Sequence, residues 1–262
     1  MDLREVKISK SNGRHPWELA RCKVVTDLVR RFVPHVKNQE TELLDIGCGD
    51  TWLIEQLSKT FNKAKFTAVD IAFTKELLEE YRARLNPSTF AVYESLEEAF
   101  ENNPKKIDLV LLLDVIEHIE DDISFLKWIQ SFTENINRDT YFLITVPAFQ
   151  SLFCQHDIFL GHYRRYTNKS LIAHIDDAGL ESIKAGYFFS SLLAPRFIVA
   201  LKERLSNSTK NVKGVGDWKR KPTDFFVKAV LWADYKIAAS IQKVGISLPG
   251  LSNYVLCKKK AR

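Results

Sequence analysis

The sequence predicts a doubly wound α/β fold, and three observations carry that expectation. Runs rich in β-branched and aromatic residues alternate with helical periodicity through the first two thirds of the chain, as βαβ units and a parallel sheet require. One apolar run ends in an acid, passes a glycine-rich turn and opens a helix, in LLDIGCGDTWLIEQL at Leu43–Leu57. A second run ends in Asp70, about twenty residues beyond that turn.

In chain order, a leading helix is expected at Ala20–Phe32. Strands follow at Glu42–Ile46, Phe66–Asp70, Thr89–Tyr93, Ile107–Leu113 and Tyr141–Val146, with helices between them. Thr167 and Gly179 bracket a further helix that places Leu171, Ile172, Ile175 and Ala178 on one face. A sixth strand is expected near Glu181–Phe188 and a seventh at Tyr254–Cys257, with about sixty residues between them. In that interval Phe226, Val230, Ala233, Ile237, Ile241 and Val244 keep a three-or-four spacing, while Lys228, Lys236 and Lys243 lie off the stripe. Pro222 and Gly245 bound this amphipathic helix, whose stripe is expected to pack on the core rather than on a membrane surface or a partner.

At 262 residues, 45% hydrophobic and 27% charged, the chain is long enough for one α/β domain with an insertion, and long disorder is not indicated. Cys22, Cys48, Cys154 and Cys257 form no C-x-x-C pair and follow no signal-peptide pattern, so they read as reduced thiols of a cytoplasmic protein. The longest apolar stretches, Leu109–Leu113 and Phe188–Ala194, fall far short of the roughly 20 residues that span a bilayer. The net charge of +5 is matched by the excess of Lys202, Arg204, Lys210, Lys213, Lys219, Arg220 and Lys221 over Glu203 and Asp217. A solvated loop is the first reading of that segment; attraction to phosphate, phospholipid head groups or nucleic acid is the second.

The turn at Asp45–Gly49 needs glycine because a Cβ would hold a ligand away from the backbone, whose N–H groups are expected to face it. A dinucleotide site would want a small residue where Trp52 stands and would set Asp45 against a doubly charged pyrophosphate. S-adenosylmethionine (SAM) has no phosphate. Its ammonium and sulfonium welcome an acid at the strand end, its carboxylate suits a helix N-terminus, and its ribose hydroxyls suit Asp70, with Ile71 against the adenine.

The motifs D-I-G-C-G at Asp45–Gly49, V-D at Val69–Asp70 and D-V-I-E-H at Asp114–His118 resemble the class I SAM-dependent methyltransferases, over roughly Glu42–Gly179. Thr51 departs from the third glycine of many members, a small residue expected to do little harm. The resemblance implies a seven-stranded sheet of order 3-2-1-4-5-7-6, with strand seven antiparallel and a helical insertion between strands six and seven. It implies one domain: an N-terminal helical lid at 1–36, a SAM-binding core at 37–188, the insertion at 189–250, and the last strand with a basic tail at 251–262. It also implies Asp114 and Val115 beside the methionine end of the cofactor, and Glu94 to Leu96, with Ser95, beside the adenine. The cofactor set is therefore Asp45, Gly47, Cys48, Gly49, Asp70, Ile71, Ser95, Asp114 and Val115.

D-V-I-E-H is also similar to the E-x-x-E-H of ubiquinone-pathway O-methyltransferases and of the plant small-RNA 2′-O-methyltransferase, which bind a divalent metal there. H-Y-R-R-Y-T, His162–Thr167, falls where the RNA enzyme has a further metal-binding histidine. That resemblance implies Asp114, Glu117, His118 and His162 as a site for Mg²⁺ or Zn²⁺; the alternative is that Glu117 and His118 cap the next helix and line the cofactor pocket, and no metal is assigned. The longer pattern G-H-Y-R-R-Y-T resembles a bacterial subgroup associated with cell-surface glycan or polyprenyl-linked sugar pathways.

Methyl transfer to a hydroxyl needs alignment, exclusion of water and removal of one proton. His162 or His156 is the candidate base, and Arg164 or Arg165 is a candidate for an anionic group on the acceptor, against a plain salt bridge. His15-Pro16-Trp17-Glu18 with Arg21 reads as a lid over the cofactor, or as a helix packed through Trp17. The expected activity is O-methylation of a sugar, lipid-linked glycan or small-molecule acceptor, with peripheral membrane contact through 189–250 left open. The rivals are an RNA 2′-O-methyltransferase and a SAM-binding regulatory or assembly module without turnover.

Overall fold

In a computed structural model the described residues are 14–206, 221 and 223–260. Lys210, Lys213, Lys219, Arg220 and Pro222, and the end of the basic tail, lie outside them.

The sheet has seven strands in the order β3-β2-β1-β4-β5-β7-β6, as the resemblance implied. They are β1 (Thr41–Ile46), β2 (Ala64–Val69), β3 (Phe90–Tyr93), β4 (Leu109–Leu113), β5 (Tyr141–Pro147), β6 (Leu180–Phe188) and β7 (Ser252–Lys259). The first five pair in parallel, and β7 runs antiparallel between β5 and β6. Since β7 opposes both neighbours, β6 points the same way as β5, so the insertion leaves and re-enters at the carboxyl edge of the parallel strands.

The central strands are near-continuous apolar runs because both of their faces are covered. Alternation then deals their side chains to two cores. Leu43, Leu109, Leu111, Leu143 and Leu256 face one; Leu44, Val110, Leu112, Ile144 and Val255 face the other. The first core is closed by α1 (Pro16–Phe32), which the four-residue α2 (His35–Asn38) follows, and by α3 (Trp52–Ser58) and α4 (Lys75–Arg84). The second is closed by α5 (Leu96–Asn102), α6 (Asp122–Ser131) and α8 (Asn168–Asp177). Short α7 (Gln155–Leu160) lies in the loop after β5.

The leading helix begins earlier than the sequence suggested, because Pro16 fits its first turn and His15 caps it in a box with Glu18. Trp17 packs on the core beside Phe189, so the packing reading holds for this ring, while Arg21 and Glu18 of the same helix face the carboxyl edge. In α8, Leu171, Ile175 and Ala178 are buried as expected, and Ile172 is exposed.

Among its described residues the insertion holds two α-helices, α9 (Leu193–Ser206) and α10 (Asp224–Gln242), where the sequence indicated one. The expected core stripe of α10 is corrected: Leu231, Tyr235 and Ala238 form the buried face, and Tyr235 donates to Asp27 on α1 at 2.6 Å. Phe226, Val230, Ala233, Ile237 and Val244 are exposed instead. Among the described residues no helix is long and apolar enough to cross a membrane, and the four cysteines are buried and unpaired.

The insertion closes onto β7 through Gly250, where an added Cβ would stand 2.3 Å from the Phe188 carbonyl oxygen. Backbone at the end of a sheet strand yields little, so Gly250→Ala is expected to cost about 1–3 kcal/mol. A urea-denaturation midpoint equal to that of the parent chain would contradict it.

Candidate active site

The four described non-glycine residues with positive φ all follow strands at the carboxyl edge. They are Thr51 after β1, Asp114 after β4, Phe149 after β5 and Phe189 after β6, with φ of 63°, 59°, 62° and 66°. Such conformations cost roughly 1–3 kcal/mol each and persist only where the surroundings impose them, which is characteristic of binding sites. Thr51 therefore carries strain that a glycine would not, contrary to the expectation of little harm. Its hydroxyl donates to Glu55 at 2.9 Å and accepts from Arg84 at 2.8 Å, which offsets part of it.

Gly47 and Gly49 share the left-handed conformation at 70° and 62°. At Gly47 a Cβ would stand 2.7 Å from Val115 Cγ2, so the turns after β1 and β4 are fitted against each other with no room for a side chain. A cavity opens beside them. Glu18 and Arg21 of α1, Asp45, Gly47, Cys48 and Asp50 of the turn, Trp52 and Leu53 of α3, and Leu113 of β4 line it.

Asp45 is 3% exposed. Burial, and then the nearby Asp70, push its carboxyl up to about 7, while Arg21 pulls the other way. Gly47 N–H and Cys48 N–H both donate to the Val69 carbonyl, at 2.8 and 3.3 Å, and Gly49 N–H donates to Asp70 at 2.8 Å. These amides tie β1 to β2 rather than facing a ligand, which corrects the reading of the turn. Asp70 also accepts from Ala72 N–H at 2.9 Å, so its carboxylate is oriented by two amides. Beside it Ile71 is 91% exposed, an apolar side chain presented to solvent. Ser95 caps α5 by accepting from Glu98 N–H at 3.1 Å.

Arg21 is 3.0 Å from the Asp114 carboxylate and 3.4 Å from the Thr145 hydroxyl, and its guanidinium lies 5.2 Å from the Trp17 ring. Its Nε is buried without a hydrogen-bond partner. Sequence reasoning gave Arg21 only a lid role; its pairing across the cavity mouth joins residues as much as 124 positions apart and leaves no local signal.

The second half of the site forms where the loop after β5 docks on the turn after β4, with Tyr163 N–H donating to the Glu117 carbonyl at 2.8 Å. Ligand atoms of Glu117, His118 and His162 lie within 4.8 Å of one another, and the two imidazoles meet edge to face at 4.5 Å. Glu117 is fully buried and neither carboxylate oxygen has a hydrogen-bond partner, so burial, then Asp114, drive its carboxyl far up. Asp114 does not join the cluster, since its carboxylate is spent on Arg21 and Thr145.

Asp157, which sequence reasoning did not single out, organises this half. It is fully buried, and it accepts from Arg165 Nε at 2.8 Å, from Arg196 at 3.2 Å and from Cys154 N–H at 2.9 Å. His162 Nδ1 is 3.0 Å away. Burial opposes ionisation, yet the His162 imidazole and the Arg165 guanidinium hold the carboxyl far below the usual range. An ionised carboxylate only accepts, so His162 carries a proton on Nδ1, and its neutral form has the lone pair at Nε2. Arg165 also donates to the Ala148 carbonyl, and Arg164 pairs with Asp122 and the Glu120 carbonyl. Both arginines are thus engaged in salt bridges, the second of the two roles the sequence left open. His156 sits apart from the cluster on α7, stacked on Phe159, and burial, then Arg196, lower its pKa.

The sheet order is that of the class I methyltransferase fold. Residues 17–185 match the model of the methyltransferase domain family, and the chain belongs to that family. The ubiquinone biosynthesis O-methyltransferase of Bartonella tribocorum is 29% identical over 115 residues, 43% of this chain. The match spans 46% of that enzyme, less than half its length. Coclaurine N-methyltransferase bound to N-methylheliamine and SAH is similar in structure, with a TM-score of 0.55 at 15% identity over 99% of this chain and 79% of that one. A putative sarcosine dimethylglycine methyltransferase of Galdieria sulphuraria has a TM-score of 0.55 at 13% identity, over 92% and 86%. The cyclase SpnF has a TM-score of 0.54 at 14% identity, over 97% and 86%. At such identities these structures share the fold alone.

The raised carboxyl of Asp45 makes a signed prediction. A folded-state pKa near 7 means the folded chain binds more protons than the unfolded one, so stability falls as pH rises from about 4 to about 7. Asp45→Asn is expected to remove that slope and to raise the stability of the ligand-free protein above pH 7 by ~2–4 kcal/mol. Urea melts across that pH range check it; parallel pH profiles for the two proteins would contradict it.

Proposed function

We propose that the cavity at the first turn binds SAM and that its methyl group passes to a hydroxyl of a sugar, lipid-linked glycan or small-molecule acceptor held between the turn after β4 and the loop after β5. Asp45, buried beside a cavity that lacks a phosphate cradle, supports the cofactor: its carboxylate meets the cationic amino-acid end, and Asp114 with Val115 flanks that end. Gly47, Cys48 and Gly49 let the ligand approach the backbone, Asp70 takes the ribose, and Ile71 with Ser95 borders the adenine. Arg21 completes the set opposite the methionine carboxylate.

The observation that carries the hydroxyl acceptor is the Asp157–His162 pair. A base is needed for an alcohol, and His162 is held in the tautomer that accepts a proton at Nε2. Asp157 and Arg165 then act as positioning residues, and His156, stacked on Phe159, is left with a supporting role. The sulfonium makes the carbon electrophilic already, so the remaining work is alignment and exclusion of water. The one-domain division made from the sequence, with 189–250 as an insertion that covers or positions the acceptor, fits this arrangement.

A second reading is favoured by the unpartnered Glu117 carboxyl. Glu117, His118 and His162 supply one carboxylate and two imidazoles, a donor set that suits Zn²⁺ and, with added water, Mg²⁺. A divalent ion held there would act as a Lewis acid toward an acceptor oxygen. RNA 2′-O-methylation and a binding module without turnover stand as further alternatives.

Incubation with methyl-labelled SAM and fractionated cell extract tests these together. Label is expected in lipid or polysaccharide, and His162→Ala is expected to retain SAM affinity while losing about 10²–10⁴-fold in turnover. Label in RNA would replace the acceptor class, and SAM binding without any transfer would favour the binding module. Unchanged turnover in the variant would remove His162 from the mechanism, and loss of activity in chelator, restored by metal, would establish the second reading.

A further inference from the structure

The two insertion helices are amphipathic with their apolar sides outward. On α9, Arg196, Ala200 and Glu203 turn toward the body, with Arg196 on Asp157 at 3.2 Å and Glu203 accepting from Gln155 N–H at 3.0 Å. The opposite face carries Phe197, Ile198, Leu201 and Leu205, which are 54%, 52%, 44% and 78% exposed. On α10, Phe226, Val230, Ala233, Ile237 and Val244 recur at helical spacing and are all exposed. A monomer scatters such residues singly; two whole faces of them mark an interaction surface.

Charge selects what covers it. Eleven of the 38 lysines and arginines fall in 189–250 against four of the 33 acids, so this segment carries +7 and the rest of the chain −2. A second copy docking by two-fold symmetry would bring this charge against itself. An anionic phospholipid surface offers the opposite charge to the lysines and a hydrocarbon boundary to the apolar faces.

We infer that α9 and α10 form an interfacial anchor that seats the protein on anionic phospholipid bilayers, with the carboxyl edge of the sheet turned toward the membrane. The anchor lies beside the candidate active site, because both ends of the insertion emerge at that edge and α9 rests on the loop after β5, where Ile158 and Phe159 are exposed too. That the membrane also presents the acceptor rests on the proposed lipid-linked substrate; the anchor itself does not.

Flotation of the full chain with phosphatidylcholine vesicles, with and without phosphatidylglycerol, tests the inference. Binding is expected to be at least ~10-fold tighter to the anionic vesicles and to weaken at high salt. Two exposed-surface variants, Phe197→Ser/Leu201→Ser on α9 and Phe226→Ser/Val230→Ser/Ile237→Ser on α10, are each expected to keep the parent thermal midpoint and to bind at least ~10-fold more weakly. No binding by the parent chain at low salt, binding equal on neutral and anionic vesicles, or full binding by both variants would overturn the anchor. A dimer in sedimentation equilibrium that these variants dissolve would overturn it in favour of a second copy. A thermal shift with SAM on the same preparations separates the two readings: response to SAM without vesicle binding sinks the anchor alone, and vesicle binding without response to SAM sinks the proposed function alone.

Discussion

Burial of acids at one sheet edge is the constraint around which this molecule is arranged. Asp45, Glu117 and Asp157 are each 3% exposed or less, and an ionised carboxylate that leaves water needs a partner. The chain answers in three ways. Asp157 receives two guanidiniums, an imidazole and an amide and stays charged. Asp45 has Arg21 nearby and no ion pair among the described residues, and it titrates close to neutrality. Glu117 has no hydrogen-bond partner and is driven toward its protonated form. Three acids in one region thus differ in how readily they ionise: Asp157 is held as an anion behind the loop after β5, Asp45 is titratable under the cavity, and Glu117 is driven toward protonation. A cation arriving at Asp45 completes an electrostatic arrangement that the ligand-free protein leaves open.

Strain is the second element of that edge. Four loops leave the ends of β1, β4, β5 and β6 through left-handed residues, so each chain segment turns away sharply from the sheet. The cost is tolerable because these residues are pinned. Thr51 is bonded to Glu55 and Arg84, Asp114 to Arg21 and Thr145, and Phe189 is wholly buried. Rigid loops at a cofactor edge fit a reaction whose main demand is alignment.

The sheet was legible in the sequence because a strand covered on both faces must be apolar throughout, as Leu109–Leu113 is, and because glycine has a steric reason to stand at position 47. What the sequence withheld depends on contacts between distant segments. Arg165 looked available for a ligand until Asp157, buried by α9 and the β5 loop together, was found beneath it. The turn amides looked free until Val69 was placed under them. Periodicity in α10 located a stripe without saying which side the body lies on, because Leu231, Tyr235 and Ala238 share the same spacing and offered a second apolar face. Helix α9 escaped notice because apolar residues occupy its outer face, where a helical pattern normally shows polar ones.

The base of the insertion is narrow: Leu251 N–H donates to the Phe189 carbonyl at 3.2 Å, and Ala148 N–H to the Leu251 carbonyl at 2.8 Å. Everything from 190 to 250 departs from and returns to the body through that stem. The segment is nonetheless tied to the body along its length, through Arg196 to Asp157, Tyr235 to Asp27 and Gln242 to the Ala185 carbonyl of β6. Stem and side contacts together make the appendage a fixed wall of the domain, held against α1, the loop after β5 and the end of β6.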